Sequence, residues 1–283
     1  MSKCKLETVL NNNPFTPSLI KKWREDIKLY EKGVKRLDEL SFILPEDDIQ
    51  DVRKNGNDGK IHFEVLPQPF LGDPNAPIWI LLLNPGYHVI DRYDHLGYCP
   101  LCKKICSKKK NLHRRQNLLF DQLRFNCQRS FPAFDESFKE SYALMDIRTY
   151  GIYGWWQKCL FGSGELSKFL INKNCGEICA NVGGKIFALE CFPYHSKTFS
   201  MSVVKKSIYY NFWCKLVLWA VDNKKYFIIR SEKIRQELLK SNVSLPNDRV
   251  VKIKNCRNVS LTEDNLISDE LNTLKDVLRN LKS

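Results

Sequence analysis

The run Ile78-Trp79-Ile80-Leu81-Leu82-Leu83 stops at Asn84-Pro85-Gly86, so a strand buried on both faces ends in an amide. An amide cannot pull a proton from water strongly, but it can aim a water or hold a polar ligand, and a buried one needs such partners. A second polar end follows the run 185–190: Glu190-Cys191-Phe192-Pro193-Tyr194-His195-Ser196. A carboxylate there could read an exocyclic amine or accept a proton, and an imidazole could stabilise a departing group. Plainer roles compete at each position. Pro85-Gly86 makes a tight turn, with Gly86 free to take positive φ. Glu190 could pair with a lysine, and His195 could be a hydrogen-bonding loop residue.

A third group lies in CPLCKKICSKKKNLHRR, residues 99–115. Cys99 and Cys102 have the spacing of a metal knuckle, and Cys106 and His113 could complete a Cys₃His set for structural zinc. The following gaps, of three and six residues, are not a standard finger pattern, so free thiols in a loop compete with zinc. Lys103, Lys104, Lys108, Lys109, Lys110, Arg114 and Arg115 share this stretch with no acidic residue, as a phosphate-tracking insertion would. The competing account is a solvated charge run.

Positioning these groups requires a rigid frame. Ile78–Leu83, Lys185–Glu190, Tyr226–Arg230 and Val250–Ile253 read as buried parallel strands, and Ile61–Leu66 as a short edge strand. Helical patterns occupy about 114–128, 137–145, 202–221, 231–240 and 264–282. Ser18 is the expected cap of a further helix running to about Leu40, within an N-terminal helical segment 14–45. The alternation predicts a single α/β domain over residues 1–283, with a central four-stranded parallel sheet and a basic Cys-rich insertion at 95–116. Ligands of open α/β sheets bind beyond the carboxyl ends of the strands. Here those ends hold Asn84, 190–196, Arg230-Ser231 and 255–265.

A net charge of +13 favours a polyanionic partner, nucleic acid over an anionic membrane surface. No apolar run reaches the roughly 20 residues that span a bilayer. Eleven cysteines, an odd number, with no export signal in the opening residues, lead us to expect a reducing cytoplasm and no disulfide framework. We find no Walker P-loop, GxGxxG, GxSxG or HExxH pattern. A lysine nucleophile is not excluded, but nothing marks one of the many lysines.

The four strand ends together resemble a known family. FLGDPNAPIWILLLNPGY resembles the first motif of the uracil-DNA glycosylase superfamily, in the Asn-Pro-Gly form of its mismatch-specific branch. FALECFPYHSKTF is similar to its second strand and pocket loop, and KYFIIRSEKIRQ to its third strand and helix start. VVKIKNCRNVSLTEDNL resembles its last strand and the loop that enters the duplex. The matches fall in order from residue 70 to 267. The usual uracil-specific motif has an aspartate at the first strand where this chain has Asn84, and a His-Pro-Ser where this chain has Asn258-Val259-Ser260-Leu261. The FPYHS form looks closer to divergent bacterial members, some of which remove hypermodified cytosine from phage DNA as an antiviral defence.

The resemblance implies a three-layer α/β/α fold and a monofunctional DNA glycosylase that leaves an abasic site. A glycosylase of this kind extrudes its target base from the duplex. Asn84, His195 and Glu190 would be the catalytic groups, with no cofactor in the chemistry. Pro85, Gly86, Tyr87, Phe192 and Tyr194 would line the base pocket. Ser196, Lys197, Asn258, Ser260, Leu261 and Asn265 would contact DNA with the basic insertion, Leu261 as the wedge that fills the vacated stack. The implied partner is double-stranded DNA, phage DNA included, and the protein is expected to be a cytoplasmic monomer. A mismatch uracil or thymine glycosylase, and a DNA-binding module without catalysis, are the alternatives.

Overall fold

In the structure, a computed structural model, the described residues are 5–35, 39, 62, 67, 69–84, 185–196, 201–255, 261 and 264–280. They form an α/β fold around a five-stranded sheet. Its strands are β1 (Phe70–Gly72), β2 (Ile78–Leu82), β3 (Ile186–Glu190), β4 (Tyr226–Ile229) and β5 (Val250–Val251), in the order β1-β3-β2-β4-β5. β2 to β5 are parallel and match the four expected runs, each trimmed at its ends. The four-stranded expectation needs one correction, because β1 pairs antiparallel with β3 on the edge. Three residues ending in glycine, just after Pro67 and Pro69, show no strand pattern of their own. The edge strand expected at 61–66 lies outside the described residues except for His62, whose N–H donates to the His195 carbonyl at 2.8 Å.

The described helices are α1 (Leu6–Leu10), α2 (Pro17–Glu31), α3 (Met201–Lys206), α4 (Ile208–Asp222), α5 (Glu232–Lys240) and α6 (Ser268–Asn280). Thr16, not Ser18, caps α2: its side chain accepts from the Leu19 N–H, and Pro17 fills the first helical position. That helix ends at Glu31 rather than near Leu40, just before Gly33 takes a φ of +71°. The single helix expected over 202–221 is two, because the Ser207 side chain accepts from the Tyr209 N–H and starts α4 afresh. Helices expected at 114–128 and 137–145 lie outside the described residues.

Strand alternation sorts the sheet into two buried faces. Trp79, Leu81, Phe187, Leu189, Phe227 and Ile229 pack with Tyr209, Phe212, Trp213, Leu216, Val217 and Ala220 of α4. Those α4 positions recur at helical spacing, so one stripe of the helix covers one face of the sheet. Val9 of α1 and Ile234 and Leu238 of α5 join the same cluster. The opposite face, Ile78, Ile80, Leu82, Ile186, Ala188 and Ile228, is buried as well. Burial on both faces is what makes these strands continuous apolar runs rather than alternating ones. Among the described residues, no helix is long and apolar enough to cross a membrane.

Candidate active site

The strand order places a switch point beside β2. The chain leaves β2 for β3 on one side and returns past it to β4 on the other. In such sheets the crevice for a ligand opens at the carboxyl ends where the order reverses. The residues at that edge are Asn84 after β2, Glu190 to Ser196 after β3, and Arg230 after β4.

Backbone pairing continues past the formal strand ends and draws these segments together. Cys191 N–H donates to the Leu82 carbonyl at 2.8 Å and Phe192 N–H to the Leu83 carbonyl at 2.8 Å. The loop 191–196 therefore starts alongside the end of β2. It closes on Asn84, whose Nδ2 donates to the Ser196 carbonyl at 2.9 Å and to Ser196 Oγ at 3.0 Å. With its nitrogen on Ser196, the amide directs its acceptor oxygen the other way. An amide whose nitrogen is fixed by two acceptors has a set orientation and can act as a positioning group.

Glu190 is 4% exposed, and its Oε2 accepts no hydrogen bond. Burial pushes its carboxyl well above the usual carboxylate range. Desolvation disfavours the charged form, and among the described residues no cation compensates. Among the described residues, no lysine pairs with Glu190. Its backbone is held on both sides: the N–H donates to the Pro69 carbonyl at 2.9 Å, and Tyr209 Oη donates to the Glu190 carbonyl at 2.8 Å. Burial above all pushes the Cys191 thiol up too, which leaves it protonated and unsuited to nucleophilic attack.

No known protein family, curated protein or solved structure matches this chain.

Phe192, Tyr194, His195 and Ser196 are all buried, and the Phe192 and Tyr194 rings lie 5.3 Å apart. Phe192 and Tyr194 belong to the buried cluster that the sheet forms with α4, and Ser196 is the residue of this loop that bonds Asn84. The last strand end behaves differently. Asn265 is buried and folds the chain back on itself: its Oδ1 accepts from Asn255 N–H at 3.0 Å, and its carbonyl accepts from Lys254 N–H at 2.7 Å. Leu261 is 3% exposed, so in this conformation it is packed inside rather than standing out as a wedge. Pro85, Gly86, Tyr87, Lys197, Asn258 and Ser260 lie outside the described residues. So do Lys108, Lys109, Lys110, Arg114 and Arg115, and the Cys99, Cys102, Cys106 and His113 set. Among the described residues, no group of His, Cys, Asp and Glu could hold a metal ion.

Arg230 is a strand-end residue to which the sequence alone assigned no role. Leu81 pairs with Ile229, and Arg230 N–H donates to the Leu81 carbonyl at 3.0 Å, so Arg230 comes next in register beside Leu82. Leu82 in turn pairs with Glu190. Laterally paired residues share a face, so Glu190, Leu82 and Arg230 form one row across three strands. Its only sequence signal was a cation at a strand end; the row requires the strand register.

Proposed function

We propose that the protein is a monofunctional DNA glycosylase built on a three-layer, uracil-DNA glycosylase-like α/β/α fold. The observation that supports this most directly is the bond from Asn84 to Ser196, two residues 112 apart in sequence. They belong to two different stretches that resemble the superfamily, and they meet at the switch point of the sheet. Breaking an N-glycosidic bond develops positive charge on the sugar and negative charge on the base. Such a reaction needs a water aimed at the anomeric carbon and hydrogen bonds to the base more than it needs a strong base. Asn84 would hold the water, while His195 and Glu190 engage the base and Phe192 and Tyr194 stack against it. Exposed Lys233, Lys252 and Lys254 stand just beyond β4 and β5, where they would attract the phosphates that flank an extruded nucleotide.

The proposed substrate is a bulky modified cytosine, such as a glucosylated hydroxymethylcytosine in phage DNA. Its motivation is the departure from the uracil-specific motifs at Asn84 and at 258–261. Zinc, if the 99–113 set binds it, would stabilise the insertion and take no part in the chemistry. The test is to incubate the protein with heavily modified phage DNA and with duplexes holding uracil or thymine mismatches, then treat with alkali. The expected result is strand breakage after alkali on modified phage DNA. Breakage on the mismatches alone would assign the repair substrate. Tight binding without abasic sites on any DNA would favour a binding module, and nicking without alkali would mean a nuclease.

A further inference from the structure

We propose that Glu190 is the acid of this site, giving its carboxyl proton to the base as the base departs. The inference rests on the glycosylase reading and adds the step by which the leaving group is neutralised. It starts from the row Glu190–Leu82–Arg230, in which an acid and a cation flank an apolar floor on one face of the sheet. Two strand spacings, about 10 Å, separate their backbones, and all three residues are buried. No ion pair joins Glu190 to Arg230, and Glu190 Oε2 is buried without a hydrogen-bond partner. A buried polar atom in a folded protein is nearly always satisfied, so an exception at the carboxyl ends of the strands marks an oxygen that a ligand could engage.

His195, in the same loop, would hydrogen-bond the base beside Glu190, and two other described neighbours do not compete for the role. Cys191 and Tyr209 both have their titrations pushed up by burial, so neither supplies a proton more readily than a carboxyl. Tyr209 already donates to backbone carbonyls, those of Glu190 and Pro69. β1 (Phe70–Gly72) presents no titratable side chain. Arg230 stays charged throughout the working pH range and would attract the negative charge of the departing ring without giving up a proton.

The step balances as follows. The bond from C1′ to the ring nitrogen breaks, and its electron pair moves into the base. The Glu190 proton passes to the base atom that collects this charge, so a neutral base leaves. The water held at Asn84 bonds to C1′ and sheds a proton to solvent, and solvent returns one to Glu190.

Glu190→Gln keeps the shape and the neutral charge but has no proton to transfer. In single-turnover assays on the DNA that the wild type excises best, this variant should release base about 10²–10³-fold more slowly. Wild-type rates should fall as pH rises through the titration of Glu190, while the residual rate of the variant should lose that limb. A Glu190→Gln rate within about threefold of wild type, or an unchanged pH profile, overturns the proposal. Circular dichroism checks that the variant folds. If it does not, carboxyl-carbon NMR of the wild type decides: a Glu190 already ionised at neutral pH overturns the proposal, and a protonated one supports it. Absence of abasic sites with wild type on every duplex overturns the glycosylase reading and this step with it. Wild-type excision with an undiminished variant overturns this step alone.

Discussion

Replacing Glu190 by glutamine should make the protein more stable, by an amount that grows with pH. In the unfolded chain a glutamate titrates near about 4.3, whereas burial holds the folded carboxyl well above that range. A raised folded value means that the contribution of the acid to stability is complete below the unfolded value. It is lost progressively as pH climbs toward the folded one, because only the unfolded chain sheds the proton. The loss is about 1.4 kcal/mol for each pH unit over which folded Glu190 keeps its proton and the unfolded chain does not. Glutamine does not titrate, so it removes this term while filling nearly the same volume. Urea denaturation of both proteins between about pH 4 and pH 7 should give curves that coincide at the acid end. They should then diverge by up to about 1.4 kcal/mol per unit, with the variant above, and run parallel once the folded carboxyl has titrated. Cys191 and Tyr209 do not disturb the window, since both titrate above their ordinary values. A constant difference across pH would mean that Glu190 ionises in the fold, and would refute both its desolvation and its role as an acid.

Two other perturbations test the packing that positions the site. Trp79 and Trp213 are both fully buried, but Trp79 Nε1 donates to the Ala76 and Pro74 carbonyls at 3.1 and 3.2 Å, whereas Trp213 Nε1 has no partner. Phenylalanine removes the same atoms from each, so Trp79→Phe should cost about 1–3 kcal/mol more than Trp213→Phe by chemical denaturation; equal costs would contradict the hydrogen bonding. Buried Glu237 accepts from Tyr210 Oη at 2.7 Å and pairs with Lys205 at 2.9 Å. Burial opposes its ionisation, but these contacts outweigh it and hold the carboxyl below its usual range. Its stabilisation is present above about pH 4.3 and lost as pH falls through the folded value, the reverse of Glu190. Glu237→Gln should therefore destabilise by about 1–3 kcal/mol near neutrality and by little in acid, and a penalty independent of pH would refute the ionised pair.

What could be read from sequence followed from where the physics is local. β2, β3 and β4 were legible because strands buried on both faces are unbroken apolar runs bounded by Pro, Gly or polar residues. The same locality explains α5, whose cap Ser231 follows β4 after a single residue. β1 was not legible, since its three residues are a strand only by pairing with Phe187–Leu189. Nor was the break at Ser207, where the apolar pattern runs across and only a side-chain hydrogen bond restarts the helix. Thr16 and Ser18 are equally good caps by type, and Pro17 in the first helical position was the discriminating clue. At the site, Asn84 and His195 stood out because polar residues interrupt apolar runs. Arg230 did not, because its relation to Glu190 exists only in the register of three strands. The absence of a partner for Glu190 is likewise a property of packing, which residue spacing cannot report.

The central claim is that the amide at the end of β2 positions a reacting water. Single-turnover excision from heavily modified phage DNA, read as abasic sites, by wild type and by Asn84→Ala tests it most directly. The account predicts abasic sites with wild type and a rate about 10²–10³-fold lower for the variant, at unchanged DNA affinity and secondary structure. Excision by Asn84→Ala at the wild-type rate would contradict it.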